Sequence, residues 1–207
     1  MLKTYFHLRG IAIEVISTSG KTSLFKAIKK EHTARNQERS FLALGEHYSQ
    51  VLHNKEGILE RSSVDDHVKL LKSKIDFLVN LGEWGDSLGD ASIQSRGVFY
   101  VFERFLLNHK VAFPESTISD LETMFLKCNP KTILLLISPD KIRERIKMRE
   151  TGLSAKDLDR LAENYIREQE RYIELSRISN IPTSEIKTDG MNWDGFARRA
   201  MDFVFTE

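Results

Sequence analysis

Short apolar runs alternate along this chain with longer segments in which apolar residues recur every three or four positions. The short runs predict strands over residues 11–16, 41–45, 97–102, 132–138 and 185–188. Several of these runs are almost continuously apolar, which is typical of strands buried on both faces of a parallel sheet. The pattern therefore predicts an α/β fold built around a five-stranded parallel sheet.

The longer segments predict helices over residues 23–30, 64–81, 119–127, 139–149, 154–177 and 193–204. Ser119, Asp140 and Ser154 stand where a side chain can accept a hydrogen bond from the first turn of a helix. Helices that alternate with parallel strands cover both faces of the sheet, so the expected architecture has three αβα layers. Residues 82–90 are rich in Gly and Asp and include Trp84, which favours a plain connecting loop over a mobile substrate loop.

Length and composition are those of one domain. The 207 residues suffice for a full core and no repeat or Pro-rich linker divides them, so residues 1–207 are expected to form a single unit. The 31 basic and 30 acidic side chains are interspersed, which argues against a nucleic-acid or membrane partner. The single Cys128, the scattered histidines and the shortness of every apolar run predict a cytoplasmic protein.

The candidate chemistry begins where the first apolar run passes into Ser17-Thr18-Ser19-Gly20-Lys21-Thr22-Ser23. A strand followed by a small-residue turn, Gly-Lys-Thr and a helix is the order found in a phosphate-binding loop. In such a loop the backbone N–H groups and the positive helix end hold the phosphates, a lysine reaches the β- and γ-phosphates, and a hydroxyl binds Mg²⁺. The alternative is a helix cap that matches by chance, and the flanking strand and helix argue against it.

The loop departs from the full pattern G-x-x-x-x-G-K-[ST] at one position. Val15 stands where the pattern has its first glycine, and a β-branched residue cannot take a positive φ without strain. Two consequences are open: the chain enters the loop by a different turn, or the loop holds phosphate less well.

Charged residues follow two of the predicted strands, at the edge where parallel sheets bind their ligands. Glu46 comes after the second strand, and Glu103-Arg104 ends the third. A carboxylate there can accept a proton from a substrate hydroxyl or orient Mg²⁺, and an arginine can hold a phosphate through two parallel hydrogen bonds. Charged residues also end strands simply because loops are exposed to solvent. The predicted phosphate-binding loop nearby favours a functional role for Glu46 and Glu103-Arg104.

A basic segment follows the fourth strand. Arg145 and Arg149 lie one turn apart on one face of the predicted helix, so that two guanidinium groups can address one triphosphate. Acidic neighbours such as Glu144 can instead neutralise the run as a solvated surface. Without the upstream loop, the solvated surface is the favoured interpretation.

Taken in order, these motifs resemble those of thymidylate kinases and the related deoxynucleoside kinases. Residues 13–23 align without gaps with the thymidylate-kinase pattern I-E-G-L-D-G-S-G-K-T-T, with identities at Ile13, Glu14, Ser19, Gly20, Lys21 and Thr22. Glu103-Arg104 stands where these families have Asp-Arg or Glu-Arg-Ser, and Arg145 to Arg149 matches the R-x-x-x-R of their lid. The resemblance implies a P-loop kinase fold with a lid near residues 141–155, and it places Glu46 in the region of the catalytic carboxylate. Relatives in this group often pair through helices, which makes residues 64–81 the candidate surface for a homodimer.

Departures from these families concern the substrate more than the fold. Val15, Ser17 and Thr18 replace two glycines and the aspartate of the loop, and Phe105 follows the arginine in place of a serine or tyrosine. Residues 108–110 replace a Ser-Asp-Arg run that helps to hold the nucleoside in deoxynucleoside kinases. The sequence therefore leaves open whether the acceptor is a nucleoside or a nucleoside monophosphate.

The leading hypothesis is an ATP- and Mg²⁺-dependent kinase of a nucleoside, a nucleoside monophosphate or a similar small molecule. Thr22 and Glu103 are expected near Mg²⁺, and Glu46 is expected to orient or deprotonate the acceptor. The residues expected to bind ATP are Ser17, Thr18, Ser19, Gly20, Lys21, Thr22 and Ser23, and those expected to act in catalysis are Lys21, Glu46, Glu103, Arg104, Arg145 and Arg149. Two alternatives stand beside it: a nucleotide-binding sensor or assembly factor without transfer activity, and an α/β interaction module that binds no nucleotide.

Overall fold

The computed structural model describes residues 4–35, 39–45, 64–87, 97–103, 105 and 114–206. Five strands in this part of the chain form one parallel sheet in the order β2-β3-β1-β4-β5. Their bounds are Leu8–Val15 (β1), Ser40–Leu44 (β2), Val98–Glu103 (β3), Pro130–Leu136 (β4) and Thr183–Lys187 (β5). The predicted five-stranded parallel sheet is confirmed.

Helices of the described segments follow or precede these strands in the predicted order. Their bounds are Lys21–Ala34 (α1), Val64–Ser87 (α2), Glu115–Leu126 (α3), Pro139–Arg149 (α4), Ala155–Ile178 (α5) and Trp193–Phe205 (α6). None of the helices described is both long and apolar enough to cross a membrane.

Each face of the sheet carries its own core, because successive residues of a strand point to opposite sides. On one side, Ile11 and Ile133 belong to a cluster that includes Leu24 of α1 and Met201 of α6. On the other side, Tyr100 belongs to a cluster whose members include Leu78 (α2), Phe125 (α3) and Tyr172 (α5). Each such fully buried side chain contributes about 1.5–3 kcal/mol by leaving water. Helices therefore cover both faces, and the predicted three-layer αβα arrangement is confirmed.

The loop predicted over residues 82–90 is wrong for its first part, because α2 continues to Ser87. Gly82 and Gly85, in this last part of α2, lie where the helix meets the N-terminal segment. A Cβ on Gly82 would lie 2.5 Å from Cγ of Tyr5, and one on Gly85 would lie 2.6 Å from Nε2 of His7. The glycines thus serve close packing of a helix and do not break it. Trp84 is 53% exposed, and residues 88–90 lie outside the described part of the chain.

Two of the three predicted helix caps are also wrong. Helix α3 begins at Glu115, directly after Pro114, and Ser119 lies inside it. Helix α4 begins at Pro139, whose fixed φ suits the first helical position, so that Asp140 lies in the first turn. The third prediction is confirmed, because the Ser154 hydroxyl accepts a hydrogen bond from the Asp157 amide at 3.2 Å at the start of α5.

Candidate nucleotide-binding site

The loop between β1 and α1 lies at the carboxyl edge of the sheet. Its backbone takes a positive φ at two positions, 74° at Thr18 and 95° at Gly20. Val15 stays in the extended strand, paired with Leu135 of β4, and is not among the positive-φ residues of the described chain. The first of the two sequence-based possibilities therefore holds: the chain enters the loop by a different turn, which is displaced from Val15 to Thr18.

The start of α1 has the properties of an anion site. Its N-cap is Gly20, no side chain of the described residues caps it, and its first turn holds no acidic residue. The hydroxyls of Thr18 and Ser19 are buried and have no hydrogen-bond partner within the described segments. Uncapped N–H groups and the positive end of a helix dipole favour a bound oxyanion. The interpretation of Gly20-Lys21-Thr22 as an ordinary side-chain cap finds no support in these contacts.

Gly20 is required for two reasons. Its φ of 95° lies in the left-handed region that side chains rarely adopt. In addition, a Cβ at this position would lie 2.0 Å from Cη2 of Trp193, the first residue of α6. The indole therefore packs directly on the loop backbone, and α6 takes part in shaping the site.

Lys21 reaches across the loop to the last residue of β3. Its Nζ lies 3.4 Å from Oε2 of Glu103, and the exposed fractions of the two side chains are 14% and 10%. Glu103 stands beside Ile13 in the register of β1 and β3, so its carboxylate projects on the same face of the sheet as α1. The structure thus brings together a lysine and a carboxylate that are 82 positions apart in the sequence.

The two arginines of α4 both contact the loop. Arg145 donates from Nη1 to the Thr18 carbonyl and from Nη2 to the Thr188 carbonyl, each at 3.0 Å. Arg149 donates from Nη1 to Oγ of Ser17 at 3.1 Å and remains 60% exposed. The structure therefore places the predicted pair at the loop between β1 and α1, and the roles assigned to these arginines stay predictions.

Neighbouring charges of α4 behave as the solvated surface that the sequence offered as an alternative. Lys141 pairs with Glu144, and Arg143 pairs with Glu163 of α5 at 2.6 Å. The basic segment is thus divided between a loop-facing row and a solvent-facing row.

Several predicted residues cannot be placed. Glu46, Arg104 and residues 108–110 lie outside the described segments, and their roles stay predictions. Thr22 and Ser23 are exposed in the first turn of α1.

Two buried charged residues near this edge were not assigned a role from the sequence. Lys74 of α2 is 7% exposed; its Nζ donates to the Gly45 carbonyl at 3.4 Å and lies 5.3 Å from the ring centroid of Phe102. Glu14 of β1 is 2% exposed, and its Oε1 accepts a hydrogen bond from the Phe105 amide at 2.6 Å. These contacts tie β1, the ends of β2 and β3, and α2 together on the face opposite α1.

Sequence patterns contain a signal for both residues. Lys74 interrupts the apolar stripe of α2 between Leu71 and Leu78, where a solvated lysine is out of place. Glu14 lies within the apolar run of β1. A charge in a buried position is a reason to look for a site.

Comparison with known proteins supports the fold. No protein-family model matches the chain, and no curated protein matches it. The YorR protein from Bacillus subtilis, solved in complex with phosphorylated GDP, has a TM-score of 0.54 at 16% identity, with 94% of this chain and 95% of that chain covered. Shikimate kinase from Bacteroides thetaiotaomicron has a TM-score of 0.54 at 16% identity, with 96% of this chain and 99% of that chain covered. The chain therefore has the fold of P-loop kinases; its similarity to thymidylate kinases in particular stays a prediction.

Proposed function

We propose that this protein is an ATP- and Mg²⁺-dependent phosphotransferase that acts on a nucleoside, a nucleoside monophosphate or a similar small molecule. The observation that carries the proposal is the convergence, on one edge of the sheet, of the uncapped start of α1, the Lys21–Glu103 pair and Arg149. Convergent N–H groups and cations at such an edge suit phosphoryl transfer, in which positioning and charge stabilisation supply most of the catalysis.

The loop would hold the nucleotide phosphates. The backbone of residues 17–22 supplies N–H donors, and the Lys21 ammonium would move from Glu103 toward the β- and γ-phosphates. The Thr22 hydroxyl and the Glu103 carboxylate offer oxygen ligands, which suit Mg²⁺ because this ion takes one or two protein oxygens and completes its shell with phosphates and water. When bound, Mg²⁺ would neutralise charge on the phosphate oxygens. No group of three or more His, Cys, Asp or Glu among the described residues suggests a different metal site.

Arg145 and Arg149 would have different roles at the transferred phosphoryl group. Both terminal nitrogens of Arg145 already bind backbone carbonyls, whereas Arg149 keeps donors beyond its hydrogen bond to Ser17 and its ion pair with Glu150 at 3.5 Å. We assign charge stabilisation of the phosphoryl group mainly to Arg149, with Arg145 holding the loop in place.

Acceptor binding would take place on the other side of Glu103. Glu46 would orient or deprotonate the acceptor and Arg104 would position it, as the resemblance to nucleoside kinases implies. The buried ammonium of Lys74 next to Gly45 adds a positive charge at this edge. A nucleoside and a nucleoside monophosphate both stay candidate acceptors.

A second candidate function is nucleotide binding without transfer, as in a sensor or assembly factor. The observation that favours it is the unusual loop, which lacks the first glycine and has its lysine engaged by a carboxylate.

A homodimer formed through α2 also stays a prediction; Phe77 and Trp84 are half exposed on that helix.

Transfer assays with a Glu46→Gln variant test the proposal. The parent should phosphorylate at least one member of a panel of nucleosides and nucleoside monophosphates, with the product followed by mass spectrometry. Glu46→Gln should bind ATP nearly as well as the parent but transfer phosphate about 10²–10⁴-fold more slowly, which is the usual effect of removing a positioned acid or base. Glu174→Gln, an exposed carboxylate of α5, is the matched control and should keep full activity.

Two results would redirect the proposal. A parent protein that binds ATP tightly and phosphorylates no acceptor supports the sensor function. Undiminished transfer in Glu46→Gln moves the catalytic role to Glu103 or to substrate positioning alone.

A further inference from the structure

Three cations form a row at the amino edge of the sheet, opposite the phosphate loop. Arg9 is the second residue of β1, Lys131 is the second residue of β4, and Arg39 directly precedes β2. Arg9 and Lys131 have the same strand parity as Ile11 and Ile133, so they project on the face that α1 and α6 cover. Arg9 precedes Val15 by six positions in the extended strand β1, which places this row about 20 Å from the loop.

The partners of these cations are rings and carbonyl groups. The guanidinium carbons of Arg9 and Arg39 lie 5.7 and 5.6 Å from the ring centroid of Phe205, and Arg39 also donates to the His7 carbonyl at 3.1 Å. Lys131 donates to the carbonyls of Phe203 and Thr206 at 2.6 and 2.8 Å, at the end of α6. Within the described residues, none of the three forms an ion pair, and the buried Nε of Arg9 has no hydrogen-bond partner.

A fourth cation at the same edge, Arg35, differs from these three because it forms ion pairs. Arg35, next to the end of α1, lies 2.7 Å from a carboxylate oxygen of Glu31 and 2.8 Å from one of Asp202. The hydrogen bond that Arg35 donates to Glu31, together with the contribution of Asp202, raises the pKa of Arg35. By contrast, burial and the charge of Arg9 lower the pKa of Arg39 and the pKa of Lys131. Among the described residues, no acidic side chain compensates the positive charge of the row of three.

Contacts with the end of α6 and with Phe205 offset only part of this charge. The end of a helix carries the equivalent of roughly −0.5 elementary charge, against three full positive charges. Cation–π contact attracts a guanidinium without neutralising it. The Arg9 Nε without a partner and the mutual proximity of the cations are costs that a bound anion would remove.

We propose that Arg9, Arg39 and Lys131 form a second anion site, which binds a small, multiply charged phosphate such as pyrophosphate or the phosphate groups of a metabolite. The planar guanidinium forks match the oxygens of a phosphate, and the half-buried setting strengthens their attraction for it. The site is separate from the phosphate loop, and it does not rest on the proposed kinase activity.

Titration calorimetry with pyrophosphate tests this site. The Lys21→Ala variant serves as the background, because its loop has lost the ammonium and contributes least to the signal. We expect one pyrophosphate per chain in this background, and binding about tenfold or more weaker when Arg9→Gln is added, since a hydrogen bond to a charged group is lost. Arg39→Gln should act in the same direction. Arg198→Gln, which removes an exposed charge from α6, is the matched control and should change the affinity by less than about twofold.

Thermal unfolding gives a second measurement on the same proteins. Pyrophosphate should raise the melting temperature of Lys21→Ala, and the rise should be absent after addition of Arg9→Gln. Competition by ATP in this background identifies nucleotide phosphates as the source of the anion, and absence of competition identifies free phosphates. The proposal is overturned if Lys21→Ala binds no pyrophosphate, or if Arg9→Gln and Arg198→Gln weaken binding equally. A failure of the kinase proposal would leave the expected pyrophosphate binding in place.

Discussion

Replacement of Lys21 by methionine is the most direct test of the phosphate loop. Methionine keeps an unbranched side chain of similar length and removes only the ammonium, which lies 3.4 Å from Glu103 in a largely buried pair. In the nucleotide complex this ammonium would bind the β- and γ-phosphates. A hydrogen bond that involves a charged group contributes about 1.5–3 kcal/mol, so Lys21→Met should weaken ATP binding by about tenfold to a hundredfold.

The same substitution should also affect the stability of the protein without nucleotide. Glu103 is 10% exposed, and it would lose the cation that offsets part of the cost of burying its charge. Because Glu103 keeps a further contact, we expect a loss near the low end of the usual range, about 1 kcal/mol in the free energy of unfolding. Addition of Glu103→Gln should recover most of this loss, since the double variant has no unpaired charge at this position.

Titration calorimetry with ATP and Mg²⁺ measures the first effect, and urea unfolding measures the second. Lys26→Met is the matched control, because Lys26 is an exposed lysine of the same helix and its loss should change neither quantity by much. Equal ATP affinities for Lys21→Met and the parent would refute the assignment of the phosphate loop. A stable Lys21→Met variant with weak ATP binding would show that only the estimate for the ion pair was wrong.

Two further predictions follow from residues near the sheet. Val15→Gly should lower the free energy of unfolding by about 3 kcal/mol, because a buried strand residue loses its side chain and glycine adds backbone entropy, with no gain in ATP affinity; urea unfolding and calorimetry test both parts. Burial lowers the pKa of His32, which stacks on Phe99 with ring centroids 5.3 Å apart. The unfolded chain therefore binds a proton more readily than the folded one, and stability should fall as the pH drops below about 6.5 and level off below the folded pKa. Urea unfolding across this range should show a weaker pH dependence for His32→Phe, and parallel curves would contradict the assignment.

The sheet could be predicted because its strands carry their signal locally. Runs such as residues 132–138 are apolar on both faces, and the alternation with helices leaves few arrangements other than a parallel sheet with two helical layers. The cap at Ser154 is local in the same sense, since its partner is Asp157. A local signal is still not always sufficient, because Ser119 and Asp140 resemble caps in the sequence and lie inside their helices.

Features that depend on distant partners could not be predicted in this way. Gly82 and Gly85 looked like loop residues, and only the approach of Tyr5 and His7 explains why a helix needs them. Strand order placed Lys21 and Glu103 at the same carboxyl edge, but their ion pair was not predicted, and the contact of Trp193 with Gly20 had no local signal. Periodicity reports which face of an element is buried and not what lies against it.

The loop between β1 and α1 turns without the first glycine of the usual pattern. Its left-handed turn falls on Thr18, and a β-branched residue in that conformation costs on the order of 1–3 kcal/mol. Such strain persists only where surrounding contacts hold it, and the structure supplies one, because the guanidinium of Arg145 binds the carbonyls of Thr18 and Thr188 together. Trp193, from the segment that follows β5, packs on Gly20 in the same loop. Arg145 therefore ties the loop between β1 and α1 to the residue that follows β5, so that the loop, α4 and the start of α6 form one connected unit.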